Sequence, residues 1–90
     1  MGKLLLRIVT LDKICFEQEV DSVMFDVLDG KMGVLSGHAP FTVGLKDSGG
    51  TLCGVDGDTE HTFNIAGGFA KIAADSVIIL TEEAVHKNFE

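Results

Sequence analysis

Residues 23–45 read VMFDVLDGKMGVLSGHAPFTVGL, and this stretch decides the fold. Val23, Phe25 and Val27 recur with a period of two, which indicates a strand that turns one face to a core. Asp29-Gly30 follows and is among the strongest short hairpin signals. The glycines and the single proline after it predict a shaped loop rather than a slack linker. The stretch therefore predicts a hairpin, a stiff loop and a further strand.

The same short-strand pattern continues in both directions from this stretch. Turn signals come every eight to twelve residues, which is typical of an antiparallel β-sandwich or barrel with about ten strands in all. At the end, Thr81 is a plausible helix N-cap before Glu82-Glu83, so the sequence predicts at most a short helical turn there. The remaining predicted strands are 3–10, 14–16, 20–28, 51–55, 59–66, 69–73 and 76–80.

Length, charge and hydropathy exclude several classes of protein. Ninety residues make one domain, and an apolar fraction of 46% is ordinary for a folded one. The net charge of -7 argues against a nucleic-acid partner, because phosphates require a basic surface. No apolar run reaches about 18 residues, so we expect no direct insertion into a membrane.

The residues that often carry chemistry are not arranged as an active site. His38, His61 and His86 are not spaced as metal ligands. Cys15 and Cys53 lie in apolar runs and are interpreted as buried, reduced core residues, with a disulfide as the alternative. We therefore predict no catalytic, cofactor-binding or metal-binding residue, and the shaped loop becomes the candidate recognition surface.

Two other classes of function stay open on the residues alone. Asp56-Gly57-Asp58 resembles a fragment of a calcium loop, although a plain hairpin turn explains it better. A small sandwich that binds a ligand or metal is therefore one alternative. An enzyme that uses Cys15 or Cys53 as a nucleophile is the other, and it would require bases near the thiol.

Residues 29–45 resemble the signature Asp-Gly-x-x-Gly-(Val/Ile)-Leu-Pro-Gly-His-Ala-Pro-x-x-(Thr/Val)-x-Leu. This is the signature of the epsilon subunit of F-type rotary ATP synthases, which is called delta in mitochondria. The likeness extends over residues 4–83. It departs from the family at Ser36, where the family has proline, and at Lys46-Asp47-Ser48, where the family commonly has Lys-Pro-Gly. Three further matches come in the family's order, namely 6–20, Gly67-Gly68-Phe69 and 77–80.

The resemblance implies a ten-stranded β-sandwich over residues 1–83, the amino-terminal domain of that subunit. Residues 84–90 are then a frayed tail or the beginning of a helical hairpin that family members usually carry. That hairpin inhibits ATP hydrolysis in some members and binds ATP in some bacteria. We expect neither property of the present 90 residues.

The resemblance also implies a function: a non-catalytic rotor subunit that links the gamma subunit of the central stalk to the membrane c ring and couples ion flow to ATP synthesis. Such a subunit is peripheral, on the cytoplasmic face of the bacterial inner membrane or the equivalent organelle face. Lys31, Met32 and His38 occupy positions that face the c ring in the family. On the residues alone, a hydrophobic plug over the mouth of the sandwich is the alternative role for Met32. For His38, a hydrogen bond that stabilises the loop has the same weight as a partner contact. Phe41, Thr42 and Val43 occupy positions near gamma.

Overall fold

The computed structural model describes residues 2–87, which form ten strands and, over that range, no helix. The strands are β1 (Leu4–Val9), β2 (Ile14–Val20), β3 (Ser22–Val27), β4 (Gly30–Leu35), β5 (Phe41–Gly44), β6 (Gly50–Asp56), β7 (Thr59–Ala66), β8 (Phe69–Ala73), β9 (Ser76–Leu80) and β10 (Glu83–Lys87).

Two five-stranded sheets make up the domain. Sheet I has the order β2-β1-β9-β8-β5, and sheet II has the order β10-β7-β6-β3-β4. Neighbouring strands in the described chain are antiparallel except β1 and β9, which run parallel with Leu5 opposite Ser76. The predicted ten-stranded all-β sandwich is confirmed, and the parallel pair is its one departure from an antiparallel arrangement.

Alternating apolar residues from both sheets fill the space between them. Val23 and Phe25 on β3, and Phe63 and Ile65 on β7, are buried as their period of two predicts. Val27 is half-buried, because it lies at the turn end of the β3–β4 hairpin, opposite Gly30. The core comprises Leu4, Leu6, Ile8, Val20, Val23, Phe25, Val34, Leu45, Leu52, Phe63, Ile65, Ala70, Ile72, Val77 and Ile79.

The predicted strand 20–28 is divided differently in the structure. β2 continues through the polar residues Glu17-Gln18-Glu19 to Val20, and β3 begins at Ser22. Asp21 separates β2 from β3, and its carboxylate accepts a hydrogen bond of 2.7 Å from the Gly57 amide. Charged side chains are compatible with β2 because it is the edge strand of sheet I.

The predicted helical turn or frayed tail after residue 83 is wrong for the described residues 84–87. They belong to β10, which pairs antiparallel with β7 from Glu83 opposite Ala66 to Lys87 opposite Thr62. The Thr81 hydroxyl donates to the Ala66 carbonyl at 2.8 Å, so it secures the entry to β10 instead of capping a helix. Residues 88–90 of the predicted tail lie outside the described residues.

Both cysteines are free thiols and both are half-buried. Cys15 packs against the core. Cys53 lies on the outer face of sheet II, because its neighbours Leu52 and Gly54 take the buried positions of β6. The interpretation as a core residue is therefore wrong for Cys53.

Candidate functional site

The tip of the β3–β4 hairpin is fixed by one carboxylate. Asp26 accepts a hydrogen bond of 2.7 Å from Lys31 Nζ and another of 2.8 Å from the Thr51 amide. The Lys31 ammonium and, after it, the Thr51 amide hold the pKa of Asp26 below its usual range. Lys31 is exposed, but its ammonium group is paired with Asp26 of the same hairpin.

Met32 lies on the other face of β4. Its side chain is half-buried and packs against the core. This agrees with the interpretation of Met32 as a plug over the rim of the sandwich, and it leaves part of the side chain accessible.

The Gly/Pro loop after β4 has a defined shape. Gly37 has a φ of 90°, and its amide donates to the Ala74 carbonyl at 2.7 Å. His38 Nδ1 donates to the Ala39 carbonyl at 2.6 Å, while the His38 amide donates to the Leu35 carbonyl at 3.2 Å. The loop-stabilising role considered for His38 is therefore present, and the half-buried ring retains an exposed part.

Lys31 and His38 lie at opposite ends of β4. Lys31 follows the hairpin turn, whereas His38 comes three residues after the strand ends at Leu35. Leu35 is four positions after Lys31 in an extended strand, which corresponds to a distance of about 13 Å. The structure therefore does not bring the three residues assigned to the c ring to one point.

β5 divides the three residues assigned to gamma between two faces. Thr42 pairs with Lys71 on the outer face of sheet I. Phe41 and Val43 pair with the buried residues Ile72 and Ala70, so they face the core side. Because β5 is the edge strand, Phe41 is nevertheless 51% exposed.

An apolar stripe crosses the outer face of sheet I, and sequence reasoning missed it. Its members stand next to one another in register, Val9 with Ile14, Val9 with Leu80, and Leu80 with Phe69. Phe69 is 57% exposed and pairs with Gly44. Leu28 from the hairpin tip covers Gly44, since a Cβ built on Gly44 would lie 3.6 Å from Leu28 Cδ1. The apolar stripe is thus Ile14, Val9, Leu80, Phe69 and Leu28.

A ring cluster closes the opposite side of the sandwich, between β2 and the β7–β10 edge. The His86 ring stacks on Phe63 with centroids 4.5 Å apart, and Phe16 meets Phe63 edge-on at 4.9 Å. His61 lies 5.1 Å from Phe16 and is half-buried, as its strand position predicted, with Nε2 3.2 Å from Gln18 Nε2. These histidines pack as aromatic residues in this cluster.

The described residues do not contain the group of ligands that the alternative metal site would require. Over residues 2–87, no three His, Cys, Asp or Glu side chains are grouped so that they could hold a metal ion. Asp56 of the calcium-like fragment is ion-paired with Lys3, which also lies 3.2 Å from Asp21. This pairing raises the pKa of Lys3, chiefly through Asp56 and then Asp21. Across the same residues, no helix is long and apolar enough to cross a membrane.

The sequence of this domain is similar to that of a known protein family. The family description "ATP synthase, Delta/Epsilon chain, beta-sandwich domain" matches residues 3–87. The chain belongs to this family. The delta/epsilon match covers the hairpin, the Gly/Pro loop and the apolar stripe together, so the resemblance of residues 4–83 is confirmed.

Relatives named ATP synthase epsilon chain include both short and long chains. The protein of Chlorobaculum tepidum is 44% identical over 78 residues, which cover 87% of this chain and 88% of the relative. The protein of Caulobacter vibrioides is 39% identical, with coverage of 94% and 96%. That of Dehalococcoides mccartyi is 36% identical over 93% of this chain but only 59% of its own length.

Two solved assemblies contain a similar fold. A chain of the Euglena gracilis mitochondrial ATP synthase, in a structure of OSCP, F1 and the c ring, has a TM-score of 0.86 and 28% identity. The match covers 96% of this delta/epsilon-family chain and 54% of that chain. A chain of the Tetrahymena thermophila central stalk and c ring has a TM-score of 0.69 at 11% identity, which shows the shared fold alone.

Proposed function

We propose that this chain is a non-catalytic central-stalk subunit of a rotary F-type ATP synthase, where it links gamma to the c ring and couples ion flow to ATP synthesis. The observation that carries the proposal is the match of 96% of the chain, at a TM-score of 0.86, to a chain of an F1/c-ring assembly. The subunit is peripheral, on the cytoplasmic face of a bacterial inner membrane or the equivalent organelle face.

The gamma-facing surface in this proposal is the outer face of sheet I together with its β5 edge. It includes the assigned residues Phe41, Thr42 and Val43, and it adds the apolar stripe that runs from Ile14 to Leu28. Exposed apolar side chains in a contiguous row support this assignment, because such rows mark contact surfaces on soluble domains.

The c-ring-facing residues in this proposal are Lys31, Met32 and His38. About 13 Å of strand separates Lys31 from Leu35, after which the His38 loop begins, so the proposed c-ring contacts are made at two separate places. Their fixed hydrogen bonds favour this role, since a preordered surface loses little conformational entropy on binding.

The proposal is tested by binding to the cognate gamma subunit, measured by titration calorimetry. Phe69→Ser removes the centre of the apolar stripe and should weaken binding at least about tenfold, as loss of a buried aromatic contact typically does. Val85→Ser is the matched control, because Val85 is 54% exposed against 57% for Phe69 but lies on β10, at the edge of sheet II opposite to β4. It should bind like the wild type.

Two results would overturn the proposal. Wild-type protein that does not bind gamma at micromolar concentration would refute the stalk assignment. Equal weakening by Phe69→Ser and Val85→Ser would refute the assignment of gamma to sheet I.

A further inference from the structure

β4 is an edge strand with backbone groups that the domain does not use. It pairs with β3 alone, through a hairpin in which Val27 is opposite Gly30. In a two-residue hairpin the closing pair exchanges hydrogen bonds, and every second residue then points its backbone away from the partner strand. These residues are Lys31, Gly33 and Leu35. Within residues 2–87, the Lys31 and Gly33 backbones form no hydrogen bond outside the sheet.

The other three edges carry features that oppose strand addition. β2 has three charged or amide residues at 17–19 and a register shift against β1. β5 has four residues and follows Pro40, while β10 carries charges at both of its ends. β4 has six residues and a single charge, Lys31, which Asp26 already binds. Natural edge strands are normally protected by charge, proline or shortness, and among the edges formed by residues 2–87 β4 has the least of this protection.

An apolar groove runs along β4 on the outer face of sheet II. Gly33 supplies no side chain, and the nearest atom to a Cβ built there is Met24 Cε at 3.8 Å. The groove has a volume of about 390 Å³, and its floor and walls include Ser22, Met24, Gly33 and Leu35. Met24 and Leu35 are both more than half exposed. A strand added beside β4 would therefore place one large apolar side chain over Gly33.

We propose that β4 accepts an extended segment of the gamma subunit as a sixth strand of sheet II. This inference rests on the proposed stalk function, since β4 leads through the 36–40 loop directly into β5 on the proposed gamma side. Unpaired amides and carbonyls select an extended chain, and the hollow at Gly33 selects an apolar residue at one position. A second copy of this chain is a poor occupant, because two chains of charge -7 repel each other. The same charge favours a segment flanked by basic residues.

Amide hydrogen exchange, read by NMR on the full chain with and without cognate gamma, tests the proposal directly. The Lys31 and Gly33 amides should exchange rapidly in the free protein and at least about tenfold more slowly in the complex. Docking through side chains alone would leave these two amides unpaired and their exchange fast.

A proline substitution provides a second, independent test. Gly33→Pro removes one outward donor, and edge strands tolerate proline where the N–H faces solvent. It should weaken gamma binding at least about tenfold. Gly33→Ala keeps the amide, fits beside Met24 and is the matched control, with affinity within about threefold of wild type.

The outcomes separate this inference from the stalk function. Wild-type protein that does not bind gamma refutes the proposed function itself. Binding of wild type with unchanged exchange at Lys31 and Gly33 overturns the added strand and leaves the stalk function standing. Protection that requires the c ring and not gamma also overturns the proposal, because it assigns the strand to a different partner.

Discussion

Replacing Asp26 by alanine should destabilise the domain, because its carboxylate accepts hydrogen bonds from both a lysine and a backbone amide. Its carboxylate binds the Thr51 amide where the β3–β6 ladder has ended, at Phe25 opposite Leu52. A Cβ built on Gly50 would lie 2.9 Å from Asp26 Cβ, so the two chains are in close contact there. The carboxylate thus extends the strand pairing by one hydrogen bond.

The magnitude follows from the two partners. A hydrogen bond to a charged group contributes about 1.5–3 kcal/mol to the free energy of unfolding. The Lys31 ion pair contributes about 0.5 kcal/mol or less, since the Lys31 side chain is 64% exposed and solvent screens the pair. Asp26→Ala should therefore cost about 2 kcal/mol, which lowers the melting temperature by about 8–16 °C in a domain of this size.

Urea unfolding followed by far-UV circular dichroism measures the effect, with Lys31→Ala as the control. Lys31→Ala removes the ion pair and keeps the Thr51 bond, so it should cost about 0.5 kcal/mol or less. Equal losses in the free energy of unfolding for the two variants would refute the reasoning.

The pH dependence of stability gives a second check. Folding lowers the pKa of Asp26, so the stabilisation by its carboxylate is present above about pH 4 and is lost as the pH falls through the folded-state pKa. The difference in the free energy of unfolding between wild type and Asp26→Ala should therefore decrease below about pH 4.

Two further predictions concern the core and the turns. Phe63→Ala should lower the free energy of unfolding by about 3–5 kcal/mol, because it empties a fully buried position and removes the ring on which His86 stacks; denaturant titration measures this, and a loss under about 1 kcal/mol would contradict it. Gly68→Ala should prevent folding, since Gly68 has a φ of 97° and an added Cβ would overlap the Leu80 carbonyl; a cooperative melt near that of wild type would contradict this.

Local patterns in the sequence predict the strands and much of the core, but they do not predict which strands meet. The alternation at Val23 and Phe25 identifies a buried face, because side-chain direction in a strand depends only on the neighbouring residues. The local sequence does not predict β10, because Thr81 is a residue type that often caps helices. The pairing of β10 with β7 is decided by tertiary contacts. The apolar stripe was missed for the same reason: Leu28 and Ile14 join it only through the register of five strands.

The assigned site residues show a similar limit. A run of three neighbours such as 41–43 cannot face one way in a strand, and the structure places Thr42 on the outer face and Phe41 on the core side. His38 was assigned two equally weighted roles, and the hydrogen bond to Ala39 that distinguishes them depends on the loop's three-dimensional shape.

The parallel pairing of β1 with β9 has a consequence for the order in which the domain is completed during synthesis. β1 emerges from the ribosome before the other described strands, and it must wait for residues 76–80 before it can pair with β9. β3, β4, β6 and β7 of sheet II, by contrast, pair within residues 22–66. The pairing of β1 with β9 joins residues that are far apart in the sequence. Such non-local pairing slows folding, because the entropic cost of closing the loop comes before any stabilising contact. We therefore expect β3, β4, β6 and β7 to pair first on the nascent chain. Sheet I, with the stripe on its outer face, is completed when β9 emerges, and β10 joins sheet II after that.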